Sequence, residues 1–128
     1  MAEPNFQVVK ITTDETYALR TAVLRAGTPT SDPKYAEDSK HGTVHLGIFD
    51  ANKILIATST WVINQWQEDP SAIAIQLRGM AVATSHQKSG LGKLLLDSGI
   101  THAKTLNAKY VWAKARDSAL DFYLRNDF

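Results

Sequence analysis

The spacing of apolar side chains along the chain changes several times, and each change marks an element. Phe6 to Ile11 reads as a short strand. Thr12 with Glu15 three residues later has the form of a capping box, and Leu19, Ala22, Val23 and Ala26 follow at helical spacing until Gly27 and Pro29 end the run. A first helix from about 14 to 26 is expected. Thr28 to Lys40 is polar and holds Pro29 and Pro33, so it is either a loop or a weakly ordered helical turn.

Val44 to Phe49 and Ile54 to Ile63 are rich in β-branched and apolar residues, and the turn-forming stretch Asp50 to Lys53 between them makes a hairpin. Ile73, Ile75 and Leu77 alternate with Ala74, Gln76 and Arg78, which predicts a long strand from about 72 to 83. Gly79 interrupts it, as a glycine does at a bulge or where another backbone or a ligand comes close. Gly92, Leu96, Gly99, Ala103 and Leu106 then define a helix with one buried face. Tyr110 to Ala115 reads as a strand, and Asp117 or Ser118 can cap a last helix reaching Asn126. The expected order is β-α-β-β-β-α-β-α, without internal repeat or linker.

Composition narrows the picture. A chain of 128 residues makes one domain, here residues 1–128, and its 44% hydrophobic and 21% charged content is that of a globular protein rather than a disordered one. The absence of cysteine excludes a disulfide framework, thiolate metal sites and a cysteine nucleophile; it is compatible with a reducing compartment, and the expected location is the cytoplasm. No apolar stretch nears the ~20 residues that span a bilayer, and the first ten residues lack a basic-then-apolar leader, so no membrane association is expected. A net charge of +1 argues against a general nucleic-acid binder. The charge is uneven, however: residues 1–70 hold six basic against nine acidic groups, a net −3, and residues 71–128 hold eight against four, a net +4.

The densest cations flank Gln87-Lys88-Ser89-Gly90-Leu91-Gly92-Lys93, between the long strand and its following helix. Glycines there let the backbone turn sharply, the first helical N–H groups have no partners of their own, and the helix dipole with Lys88 and Lys93 attracts an anion. A phosphate or pyrophosphate suits such a turn. A nucleotide-triphosphate loop would need glycine at 87 and Ser or Thr at 94, where Gln87 and Leu94 stand; a dinucleotide fingerprint starting at Gly90 would need glycine at Leu95.

With those two excluded, Gln87, Gly90 and Gly92 resemble the signature of the GNAT family, the general N-acetyltransferases that use acetyl-CoA: Gln or Arg, two residues, Gly, one residue, Gly or Ala. Val82 and Thr84 stand where the family's strand enters that loop. Ala115-Arg116-Asp117-Ser118-Ala119-Leu120-Asp121-Phe122-Tyr123 looks like its second signature, and the element order agrees from about Phe6 to Phe128. The resemblance implies an α+β fold with a mixed, mostly antiparallel sheet flanked by helices, and an acetyl transfer from acetyl-CoA to a primary amine of a small molecule or peptide by direct attack. It places acetyl-CoA in a V-shaped cleft opened at a bulge near Gly79. Backbone groups of Met80 and Val82 would pair with the pantetheine arm, a backbone N–H around Ala81 or Val82 would polarise the thioester carbonyl, and the N–H groups from Lys88 to Lys93 would hold the pyrophosphate. Tyr123 matches the family's tyrosine acid, which protonates the leaving thiolate.

An amine acceptor must be deprotonated, so a base or a relaying water is expected. Glu37, Asp38, His41, His45, Glu68 and Asp69 all lie in or beside segments that would form the acceptor side, and His45 draws notice by its place in a strand. Trp61 from a strand and Trp66 from the following loop could both line an acceptor pocket, with core packing the favoured reading for Trp61. Arg116 is open between a cofactor contact and a salt bridge to Asp117 or Asp121. His86 and His102 stand too far from other ligand types for a metal site. Two features depart from the family: Asp127-Phe128 replaces the usual Gly-Phe, and the sequence stops where one or two further strands are usual. Three alternatives follow: the sequence is a truncated product, a neighbouring copy supplies the missing strand in a homodimer through the open sheet edge, or the fold tolerates that edge and has lost activity. The alternative function is a catalytically weak CoA-binding or interaction domain with an incomplete acceptor site.

Overall fold

In the computed structural model, residues 6–24, 34–86, 89–114 and 121–125 are described. They form a single mixed sheet in which strand order follows chain order: β1 (Val9–Ile11), β2 (Val44–Phe49), β3 (Leu55–Ile63), β4 (Ala74–Val82), β5 (Tyr110–Lys114) and β6 (Asp121–Arg125). All neighbours are antiparallel except β4 and β5, which are parallel and joined by the long helix α2 (Leu91–Thr105). This is the expected α+β class.

The first helical stretch is less regular than its apolar spacing implies. A 3-10 turn, Asp14–Thr16, leads into a single α-turn, α1 (Tyr17–Leu19), and then a π-helical segment, Arg20–Leu24. Its start is set by the reciprocal pair foreseen in the sequence: the Thr12 N–H donates to Glu15 Oε1 at 2.8 Å and the Glu15 N–H to Thr12 Oγ1 at 3.3 Å. The expected polar stretch ends in a 3-10 turn, Ala36–Ser39.

One face of the sheet packs on α2. Leu91, Leu95 and Ala103 from the helix meet Leu46, Ile48, Ala57, Trp61, Ile75 and Val111 from the strands, all buried. Trp61 is completely buried, as expected of a packing residue. Gly99 lies directly over it: a Cβ there would stand 1.9 Å from Trp61 Cζ2, so only a glycine lets the helix approach this closely. A smaller cluster, Trp66, Ala74, Tyr110 and Trp112, closes the end of the sheet where β4 and β5 are joined.

The last element corrects the expectation. In place of a final helix reaching Asn126, Asp121–Arg125 pairs antiparallel with β5, Tyr110↔Arg125 through Lys114↔Asp121. Phe122, Tyr123 and Leu124 favour a strand, a helix capped at Asp117 or Ser118 and ending at Asn126 is too short to be stable on its own, and the edge of β5 supplies ladder partners that a helix would leave unused. The proposed caps Asp117 and Ser118 lie outside the described residues, as does Arg116. The β5 edge expected to be open for a second copy is thus occupied by the chain's own β6. Among the described residues no helix is long and apolar enough to cross a membrane.

Candidate active site

Two irregularities in β4 open a cleft. Thr58 pairs with Ala81 but Thr60 with Arg78, so Ser59 alone faces both Gly79 and Met80. This is a bulge at the glycine singled out from the sequence, and Gly79 has φ +60°. On its other edge β4 is joined to β5 only from Ala74–Gln76 to Tyr110–Trp112. Beyond Gln76, β4 continues with β3 while β5 continues with β6, and the two parallel strands separate. The Ala83 N–H donates to Ile56 O on β3 at 2.8 Å, and strand alternation therefore turns Ala81 toward β3 and the backbone of Val82 toward the cleft.

At the mouth of this cleft stands the start of α2. Gly90 is its N-cap, in the left-handed region with φ 86° and ψ 4°, and the space a Cβ would enter is open. The first intrahelical bond, from the Leu94 N–H to Gly90 O at 3.2 Å, leaves the N–H groups of Leu91, Gly92 and Lys93 ahead of the ladder. Leu91 is buried to 1% exposure and fixes the turn, while the Ser89 hydroxyl donates to the His86 carbonyl. Lys93 is bound to Asp97 at 2.9 Å on the exposed face of the helix, so its charge is shared rather than aimed at the turn. A Cβ on Gly92 would lie 3.9 Å from Met80 Sδ. The structure thus brings Ser89, Gly90, Leu91 and Gly92 to the side of Met80, Ala81 and Val82; Gln87 and Lys88 fall outside the described residues.

Tyr123 does not join them. It pairs with Trp112 on the far side of β5, about two strand spacings, or ~10 Å, from β4.

The opposite face of the sheet carries a buried polar network that the sequence did not reveal. Arg20 is fully buried and donates to both Asp38 oxygens at 2.9 Å and to Thr60 Oγ1 at 2.7 Å. His45 lies between Thr60 Oγ1, 2.8 Å from Nδ1, and Thr13 Oγ1, 2.9 Å from Nε2. Tyr35 is held by its N–H to Asp38 at 3.0 Å, and its ring lies against the guanidinium groups of Arg20, at 4.3 Å, and Arg78, at 4.4 Å. Each such contact is worth about 0.5–2 kcal/mol. Arg78, which precedes the bulge glycine, is in turn bound to Glu37 at 2.6 Å. An open pocket of about 310 Å³ adjoins this network, lined by Thr13, Tyr17, Lys34, Tyr35, Asp38 and Ser39.

These contacts sort the candidate bases. Burial would raise the Asp38 pKa, but the Arg20 hydrogen bond, the Tyr35 N–H and the charges of Arg20 and His45 together bring it below the ordinary carboxylate value. Asp38 is a clamp rather than a base. His45 is pushed below its ordinary value of 6.5, first by burial and further by Arg20, with Asp38 opposing, and both its ring nitrogens are engaged. Asp69 accepts from the Tyr110 hydroxyl at 2.8 Å at the joined end of β4 and β5, far along the strand from the bulge, and Trp66 packs there on Tyr110. Glu68 and His41 are exposed. Of the six, Glu37 and His45 have described contacts to residues flanking the bulge, Arg78 on β4 and Thr60 on β3 respectively.

The buried neutral His45 carries a pH signature. Its folded pKa lies below the unfolded one, so the unfolded chain takes up the proton first; its contribution is whole above pH 6.5 and is lost as pH falls from there toward the folded value. His102, also depressed by burial and by Lys10, acts in the same direction. Melting temperature is expected to drop between about pH 7.5 and about pH 5.5, and less so in His45→Gln. Thermal scans check this, and a flat profile in the wild-type protein would contradict it.

Comparison with known proteins agrees with this geometry. The model of the acetyltransferase (GNAT) family matches residues 13–128, and the chain belongs to that family. It is 29% identical over 123 residues to YitI, an uncharacterized N-acetyltransferase of Bacillus subtilis, covering 93% of this chain and 79% of that one. Among solved structures it is similar to a GNAT-family acetyltransferase from Staphylococcus aureus Mu50, with TM-score 0.71 and 12% identity over 88% of this chain and 75% of that one. It is also similar to the glucosamine-6-phosphate N-acetyltransferase of Arabidopsis thaliana, with TM-score 0.64 and 16% identity over 89% and 84% of the two chains.

Proposed function

We propose that this chain transfers an acetyl group from acetyl-CoA to the primary amine of a small molecule or peptide, by direct attack. The observation that carries the reading is the meeting of two features at one cleft: the β4 bulge with its parting from β5, and the glycine-capped start of α2, in contact distance at Gly92 and Met80. The fit of the cofactor is supported by that cradle, since among the described residues beyond its two chain neighbours nothing lies within 4 Å of where a Gly90 Cβ would stand, and the N–H groups of Leu91, Gly92 and Lys93 precede the helical ladder. Gln87 to Lys93 would hold the pyrophosphate, and Met80, Ala81 and Val82 would line the path of the pantetheine arm. Acetyl-CoA supplies the acetyl group in activated form, as a thioester. The backbone alternation favours Val82 over Ala81 as the group facing that thioester. The acceptor enters from the opposite face, past Tyr35, where the pocket lies.

A CoA-release assay over a panel of primary amines tests the reading; release above the amine-free rate with at least one amine is expected, and none with any amine would count against it. Tyr123, matched to a proton donor by sequence resemblance, is kept in that role. Tyr123→Phe should lower kcat by about tenfold or more while leaving acetyl-CoA affinity unchanged. Equal losses in both would make the hydroxyl a binding group. The placement of Tyr123 across β5 favours, as the second reading, a CoA-binding domain of weak turnover, which would bind acetyl-CoA yet release none.

A further inference from the structure

We propose that Tyr35 determines acceptor specificity: its ring is a fixed aperture between the open pocket and the β4 bulge, passing a primary amine that is unbranched beside its nitrogen and excluding one that is branched there. The inference rests on the acetyl-transfer reading above.

Tyr35 is the side chain shared by the two places. It lines the pocket, and it also lies over Gly79, where a Cβ would stand 2.9 Å from its Cε2 and 3.5 Å from its hydroxyl. The ring, together with Arg20 Nε at 3.2 Å from the same point, therefore leaves no room for even one methyl group at the bulge. A methyl group beside an incoming nitrogen meets the same wall, whereas a plain CH₂–NH₂ end does not carry one.

The ring is also held in place. Its backbone is tied to Asp38 in both directions, with the Tyr35 N–H donating to Oδ2 at 3.0 Å and the Asp38 N–H donating to Tyr35 O at 3.1 Å. Its face lies against two guanidinium groups, each anchored by its own carboxylate: Arg20 by Asp38 and Arg78 by Glu37. Swinging the ring aside forfeits both contacts at once, so the aperture discriminates by shape rather than adapting to what enters. It also limits access of water to the bulge from this side. In the productive transfer the C–N bond forms, the C–S bond breaks, and the nitrogen's proton leaves while the thiolate gains one. When water takes the place of the amine, acetate and CoA thiol result.

The test compares wild type, Tyr35→Phe, Tyr35→Ala and Tyr35→Val by CoA release with n-butylamine, with sec-butylamine and with no amine, alongside calorimetric titration of acetyl-CoA. Wild type and Tyr35→Phe should favour n-butylamine by about tenfold or more, whereas Tyr35→Ala should bring that ratio near one and raise the amine-free release severalfold. Tyr35→Val, which keeps more of the packing, reads the same effect should the alanine variant not fold. Proteins that bind acetyl-CoA equally, with the same amine preference and the same amine-free release, would overturn the aperture alone. A wild-type protein that does not bind acetyl-CoA would overturn the acetyl-transfer reading, and the aperture with it.

Discussion

Gly99→Ala is expected to cost about 3 kcal/mol of folding stability, enough to leave a domain of this size barely folded. Helix propensity argues the reverse, since alanine is favoured over glycine inside a helix by about 1 kcal/mol. Sterics decide. The added methyl would stand 1.9, 2.1 and 2.2 Å from three atoms of the Trp61 indole, distances no relaxation of a side chain tip can absorb. The indole cannot retreat either, because it is fully buried in the sheet and its Nε1 donates to Ser59 Oγ at 2.8 Å. Helix α2 must lift, and Leu91, Leu95 and Ala103 lift with it. Urea unfolding measures the loss, and Trp61→Phe in the same chain should recover part of it by shortening the ring. A Gly99→Ala variant as stable as the wild type would contradict this packing.

Arg20→Met is expected to cost about 3–5 kcal/mol, because it leaves a buried carboxylate without its cation. The Asp38 side chain is 7% exposed and is satisfied by two guanidinium N–H groups and one backbone N–H. Methionine replaces the volume of arginine but none of the donors. Thr60 and Tyr35 lose their contacts as well, so the acceptor wall loosens together with the fold. The double variant Arg20→Met with Asp38→Leu should recover most of the loss, since a pair of apolar residues no longer buries an unmatched charge. Additive losses in the double variant, read from the same urea curves, would show that the two residues do not act as a pair.

What the sequence made legible was local. The capping box at Thr12 and Glu15, the alternation through Ile73, Ile75 and Leu77, the bulge at Gly79 and the glycines before α2 each involve neighbours within a few positions, where spacing alone carries the physics. The polar network was hidden for the opposite reason. Arg20 meets Asp38 across 18 residues and Thr60 across 40, and nothing in a helical stripe beside Leu19 marks an arginine as fully buried. Tyr35 sat in a polar stretch that reads as a loop, and its position over Gly79 follows from the Asp38 clamp rather than from its own surroundings in the chain. The stretch ending at Asn126 misled because a candidate cap at Asp117 or Ser118 followed by so short a run suits a helix as well as a strand, and the edge of β5 decided for a strand at Asp121–Arg125.

The central claim is that the turn opening α2 holds the pyrophosphate of acetyl-CoA. It is tested most directly by calorimetric titration of acetyl-CoA into wild type, Gly90→Asp and Gly90→Asn. Both substitutions meet open space and share the cost of a left-handed backbone at φ 86°, but only aspartate adds a negative charge. Wild type should bind, Gly90→Asn should bind somewhat less tightly, and Gly90→Asp should lose about 100-fold or more from like charges brought together. Equal affinity in all three proteins, or no binding by the wild type, would contradict the account.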